Sequence, residues 1–288
     1  MRLGINLPFL TIDRDAPPVS YVASRARAVE DAGFDSIWIG DTISRGVTWP
    51  DPLLYLLAAA TGTKQIELGT AVMEVPLRAP VDLAQRFLTM HALTNGRFSA
   101  GVGAGSTKQD YDACSIDFEQ RFKLLRSHLE LMRPLLRGEQ VGDANLHPWP
   151  SAAGGPRMLI GSWYSGPWVK RAAEEYDGWL SSSAWTNFNT MREGLQRYRD
   201  LGGKRAMVAT IHVDLTQPEA DLADDQAFHL RCGPKSAAER LHKIQDIGFD
   251  DALIIKTARH TEAEMTDEDL HQIRSLLPRD GTSIFTTN

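Results

Sequence analysis

The chain has 288 residues, 42% of them hydrophobic and 24% charged, with a formal net charge of −6. A chain of this length buries roughly three quarters of its unfolded surface and needs no covalent staple; its two cysteines, Cys114 and Cys232, make neither a disulfide framework nor a four-ligand metal site. The mildly acidic balance excludes the broad basic face that nucleic acid or an anionic membrane selects, and no apolar run reaches the roughly eighteen residues of a transmembrane helix.

Met1-Arg2-Leu3-Gly4-Ile5-Asn6-Leu7 alternates as a strand from the start, with no signal-peptide apolar region, which predicts a cytoplasmic protein; Pro8 stops this strand. Over 19–32 the apolar Val19, Val22, Ala26 and Val29 step by three or four, as one helix face requires. Gly33 caps that helix because glycine tolerates the left-handed conformation. Ser36-Ile37-Trp38-Ile39-Gly40 reads as a buried strand, 51–61 as a helix with Pro52 in its first turn, and 66–75 as a longer strand. Pro80 opens a third helix with a stripe of Leu83, Ala84, Phe87 and Leu88, and 98–102 is a fourth strand running into glycines. The rhythm breaks over 104–155, where a long helix, 118–136, lies between polar and proline-rich loops. It resumes with strands at 158–161, 178–181, 206–213 and 252–255 and helices at 167–176, 188–201, after Ser236, and at 267–277. Ser236 and Glu239 have the spacing of a capping box.

Eight strands alternating with helices imply a parallel sheet with right-handed crossovers. At this length they predict an α/β fold, a (β/α)8 TIM barrel with an insertion over 104–155 after strand four, and a single domain over 1–288. Chemistry in such a barrel sits where the strands end at their C-terminal side. Three strand exits carry candidate groups. Gly101-Val102-Gly103-Ala104-Gly105-Ser106 is neither a P-loop nor a dinucleotide fingerprint; it is a tight turn, or a place where missing side chains let a flat cofactor approach the backbone. Gly161-Ser162-Trp163-Tyr164-Ser165-Gly166-Pro167 leads into a helix whose free N–H groups suit a phosphate, with Ser162 and Ser165 as added donors, or it is an ordinary capped turn. Asp41 and Thr42 follow strand two, where Asp41 either works as an acid/base or caps the loop, and Glu74 ends strand three, with Arg78 as its simplest partner. The eight histidines form no metal motif, so no metal is expected, and Lys256, past the last strand, is the one residue placed for Schiff-base chemistry, or more simply a solvated lysine or a phosphate partner.

Several segments together resemble the bacterial-luciferase-like monooxygenases, which include FMN enzymes and deazaflavin F420-dependent oxidoreductases. Val29-Glu30-Asp31-Ala32-Gly33-Phe34-Asp35-Ser36-Ile37-Trp38-Ile39 is similar to the family's helix-one to strand-two block. Ile66-Glu67-Leu68-Gly69-Thr70-Ala71-Val72 with Pro76-Leu77-Arg78-Ala79-Pro80 is similar to its strand-three block, and 95–105 to its strand-four block. Leu159-Ile160-Gly161 and Asp177-Gly178-Trp179-Leu180 fit strands five and six.

The resemblance implies an oxidoreductase or monooxygenase with FMN or F420 across the barrel mouth. The ring would rest on Ala71 and Val72, where members often hold a non-prolyl cis peptide, with Gly103 beneath and Asp41 and Glu74 at its edge. The phosphate would sit at Gly161, Ser162, Ser165 and Gly166. Members often carry a histidine where this chain has Thr42, and sugar-phosphate-oxidising members a glutamate where it has Ser106. Asp41, Thr42 and Ser106 are then the candidate catalytic residues, facing an unidentified small-molecule substrate, and a homodimer is implied. The competing expectations are a flavin- or F420-binding protein that does not catalyse, and a Schiff-base lyase using Lys256.

Overall fold

In a computed structural model, residues 1–7, 15–46, 49–184, 186–256 and 265–278 are described. The expected stop at Pro8 lies outside them. Ten strands are present among the described residues: β1 (Arg2–Leu7), β2 (Ser36–Ile39), β3 (Glu67–Thr70), β4 (Met73–Glu74), β5 (Phe98–Gly103), β6 (Arg157–Gly161), β7 (Gly178–Ser182), β8 (Ala206–Asp214), β9 (Leu230–Arg231) and β10 (Asp251–Lys256). Every pairing between them is parallel, and β10 bonds to both β1 and β8, so eight strands close into a barrel. This is the expected (β/α)8 TIM barrel. The two additional strands are short. β4 carries β3 onward past a cis peptide at Ala71–Val72 to pair with β5, so the single strand expected over 66–75 is divided; β9 lies against the end of β8.

Nine helices are described: α1 (Val19–Asp31), α2 (Pro52–Gly62), α3 (Pro80–Leu93), α4 (Lys108–Ala113), α5 (Arg121–Leu136), α6 (Trp168–Glu175), α7 (Phe188–Asp200), α8 (Pro234–Ile247) and α9 (Asp267–Ser275). Local chemistry sets their ends. Asp51 accepts from the Leu53 and Leu54 N–H groups at the start of α2, and Gly33 follows α1 at φ +88°. The long helix expected over 118–136 is a short 3-10 turn, Phe118–Gln120, followed by α5. The capping box expected at Ser236 does not form. α8 begins two residues earlier behind Gly233, and the carboxylate of Glu219 takes the Lys235 and Ser236 N–H groups at 3.1 and 2.7 Å. A loop acid in the chain's own tertiary fold thus supplies the cap that the local sequence offered.

Strand alternation divides the core into two. Leu3, Ile5, Leu7, Ile37, Ile39, Leu68, Phe98, Ala100 and Val102 face the helices in one large cluster. Trp38, Leu159, Leu180, Met207, Ala209 and Leu253 fill the barrel, with Ala71 and Val72 packed on them from above. Glycine is required where Trp38 lies: a Cβ at Gly69 would run into its indole ring. The barrel is therefore solid in the middle, and its two ends carry the polar groups.

Candidate active site at the barrel mouth

The floor of the mouth is made by residues without bulk. The Val72 side chain lies across the ends of β5 and β6, where a Cβ on Gly103 would stand 2.9 Å from Val72 Cγ2, and one on Gly161 would stand 2.6 Å from Cγ1. Ala71, Val72, Gly103 and Gly161 are thus brought together. Asn6 of β1 lies opposite Trp38 in register, its Oδ1 without a partner among the described residues though the residue is only 8% exposed. The alternation from Arg2 through Gly4 was the signal in the sequence that could have placed Asn6 on the inner face.

Beside this floor lies a cluster of charges. Asp41, just past β2, is buried; it receives Arg78 through both terminal guanidinium nitrogens and the Glu74 N–H at 3.0 Å. The pairing expected between Glu74 and Arg78 is therefore wrong: the two-pronged guanidinium matches a carboxylate that faces it edge-on, and Asp41 is that carboxylate. Glu74 instead takes Arg45 Nη2 at 2.9 Å on Oε1, while Oε2 is buried without a partner among the described residues. Arg45 also reaches Asp110 through Nε at 2.6 Å, and Asp110, fully buried at the start of α4, accepts the Ile43 and Ser44 N–H groups at 3.2 and 2.8 Å. Burial, with the neighbouring Asp41 and Asp110, outweighs the two guanidiniums and pushes Glu74 up to about 8. Tyr111 donates to the Ala104 carbonyl, and burial pushes its phenol well above the usual range.

Of these groups, Arg45, Asp110 and Tyr111 were not foreseen. They lie in loop and helix segments far apart in sequence, and their polarity reads as surface until tertiary packing covers it. Thr42 stands half-buried beside Asp41, and Ser106 is exposed beyond Gly105, outside the charge cluster. On the other side of the floor, Ser162 and Gly166 meet, since a Cβ on Gly166 would stand 2.8 Å from Ser162 Oγ. Ser162 Oγ donates to the adjacent Trp163 carbonyl at 3.1 Å, Ser165 is exposed, and α6 begins there with no acidic side chain in its first turn. Lys256 is ion-paired to Asp269 at 2.6 Å. A Schiff-base nucleophile must present its amine to an incoming carbonyl, and here Asp269 engages that amine.

The model of luciferase-like monooxygenases matches residues 1–213. The chain belongs to that family. Among curated relatives, the 4-hydroxyprotoasukamycin monooxygenase of Streptomyces nodosus subsp. asukaensis is 32% identical over 162 residues, 52% of this chain and 43% of that protein. The F420-dependent glucose-6-phosphate dehydrogenase of Amycolatopsis mediterranei is 29% identical over 195 residues, 59% of this chain and 53% of that one. The chain spans about half the length of these two relatives. Among solved structures, the oxygenating constituent of 3,6-diketocamphane monooxygenase from Pseudomonas putida, in complex with FMN, superposes with a TM-score of 0.73 at 16% identity, covering 95% of this chain and 96% of that one. That likeness supports the barrel fold.

Proposed function

We propose that this protein is an FMN- or F420-dependent oxidoreductase or monooxygenase acting on a small organic substrate at the barrel mouth, and that one barrel unit with its 104–155 excursion carries the whole site. The observation that supports it most is the floor: Val72 lies over two glycines at which any side chain would collide with it, leaving a smooth apolar surface for a planar ring. Relatives in the family include an F420-dependent dehydrogenase and a monooxygenase, and an FMN-bound protein shares the fold.

A bound reduced flavin or deazaflavin would supply a hydride, or the reduced ring that reacts with oxygen. The chain's own part is to hold and orient. Ala71, Val72, Gly103 and Gly161 form the surface beneath the ring. Ser162, Ser165 and Gly166, with the N-terminus of α6, form the phosphate cradle, where backbone N–H groups favour an anion without requiring a basic protein. Arg78 fixes Asp41 at the ring edge, and Thr42 and Ser106 face the substrate. A homodimer and a cytoplasmic location belong to the same reading.

The test is to titrate the purified chain separately with FMN and with F420, following fluorescence. Saturable binding of one of them, weakened in Gly161→Ala, is expected; binding of neither overturns the reading.

A further inference from the structure

The charge cluster at the mouth holds an unequal set of groups. Among the described residues three carboxyls (Asp41, Glu74 and Asp110) face two guanidiniums (Arg45 and Arg78), and all three carboxyls are at least nine-tenths buried. Two of the carboxyls are fully engaged: Asp41 by Arg78 and the Glu74 N–H, Asp110 by Arg45 and two loop N–H groups. Glu74 has a single bond, on Oε1, and an orphan Oε2. One proton makes the cluster neutral, and Glu74 is where the bonding pattern leaves room for it. Gly105, at φ +71°, gives the Glu74 side chain room, since a Cβ there would stand 2.5 Å from the carboxyl carbon. Among the described residues the other titratable groups nearby are Tyr111 of α4, whose hydroxyl is spent on Ala104, Arg121 of α5, which acts on Tyr111, and His128 of α5, which meets the Val75 carbonyl at 3.3 Å.

We propose that Glu74, kept as a neutral acid, is a positioning residue: through Arg45 it holds the 41–46 loop, and with it Asp41 and Thr42, in place at the mouth. Ionising Glu74 would put a third buried negative charge beside Asp41 and Asp110, a cost that opening the loop to water relieves. The loop would then be released as the proton leaves, in the range near pH 8 to which burial pushes this carboxyl. The consequence for ligands rests on the cofactor reading above; the consequence for the loop does not.

Glu74→Gln copies the neutral acid at the same size, so it separates the proton from the side chain. Hydrogen exchange of the Ile43 and Ser44 amides is measured on ligand-free wild type and variant from about pH 6 to about pH 9, corrected for intrinsic exchange. The wild type is expected to lose about tenfold or more of its protection, as a change of one or more pK units in the loop equilibrium gives, while the variant holds it across the range. Equal loss in both proteins overturns the proposal, as does retention in both. The same pair is titrated with FMN and with F420: affinity falls through the same interval in the wild type alone. If neither ligand binds either protein, the cofactor reading fails, and hydrogen exchange still decides the role of Glu74. Infrared spectra of the wild type provide a check that needs no variant. A protonated-carboxyl carbonyl band is expected at pH 7 and lost above about pH 8, and its absence at pH 7 overturns the neutral acid.

Discussion

The two ends of the barrel carry mirror-image charge clusters. At the N-terminal end, Glu67 accepts two bonds from Arg205 at 2.8 Å, one from Arg2 at 2.7 Å and one from Ser99 at 2.6 Å. Asp251 accepts from Arg2 at 2.8 Å and from Arg205 at 2.9 Å, and Arg157 stands 3.8 Å from Glu67. Around Glu67 and Asp251, the described residues set three guanidiniums, and these overcome the cost of burial to hold Glu67 well below the usual carboxyl range. The mouth has three carboxyls against two, and there burial wins, with Glu74 raised. The same residue types at similar depth thus give a saturated plug whose carboxyl is held low at one end and an under-bonded cluster whose carboxyl is pushed up at the other. A saturated cluster ties strands together; an under-bonded one is left with a group able to respond.

The comparison can be broken most decisively at the plug. Arg205→Met should cost about 3–5 kcal/mol in denaturant unfolding, because it strips partners from Glu67 and Asp251 while both stay buried; a loss under 1 kcal/mol would show that the plug is not saturated as described. The pH signs also oppose. Glu67 has its folded value below the ordinary 4.5, so its contribution is full above that pH and is lost as the pH falls toward the folded value. Glu74 has its folded value above 4.5, so its contribution is full below that pH and is lost as the pH rises toward about 8. Thermal midpoints of wild type and Glu74→Gln should therefore coincide near pH 4.5 and separate above it, the wild type lower; a constant gap would remove the contrast between the ends.

Between the two ends, Gly69→Ala should cost about 1–3 kcal/mol by forcing Trp38 from its seat in the barrel, as overpacking does. Gly161→Ala collides with the Val72 side chain and touches the Val102 carbonyl only at ordinary van der Waals distance, so its effect should fall on ligand affinity more than on the thermal midpoint; the reverse order would mean that the floor is structural. At the mouth, Asp41→Ala should lower turnover at least about tenfold, equivalent to about 1.4 kcal/mol, with cofactor binding retained. Unchanged turnover would remove Asp41 from the chemistry. The smallest effect is expected for Lys256→Met, about 0–1 kcal/mol for a partly exposed ion pair. Borohydride with carbonyl compounds should trap no adduct on the wild type.

The sequence by itself determined the βα rhythm, because periods of two and near 3.6 are written in single segments such as 3–7 and 19–32. It also located the strand exits, and with them Asp41, Glu74, Gly103 and Gly161. Tertiary structure alone decided how those exits are wired. Arg78 went to Asp41 rather than Glu74 because geometry across two strands outranks separation along one. Glu219 replaced the capping box at Ser236 because a loop sixteen residues away folded back onto the helix end. The protonation of Glu74 depends on how many charges of each sign are enclosed with it, a property of the packed mouth that no stretch of the chain carries on its own.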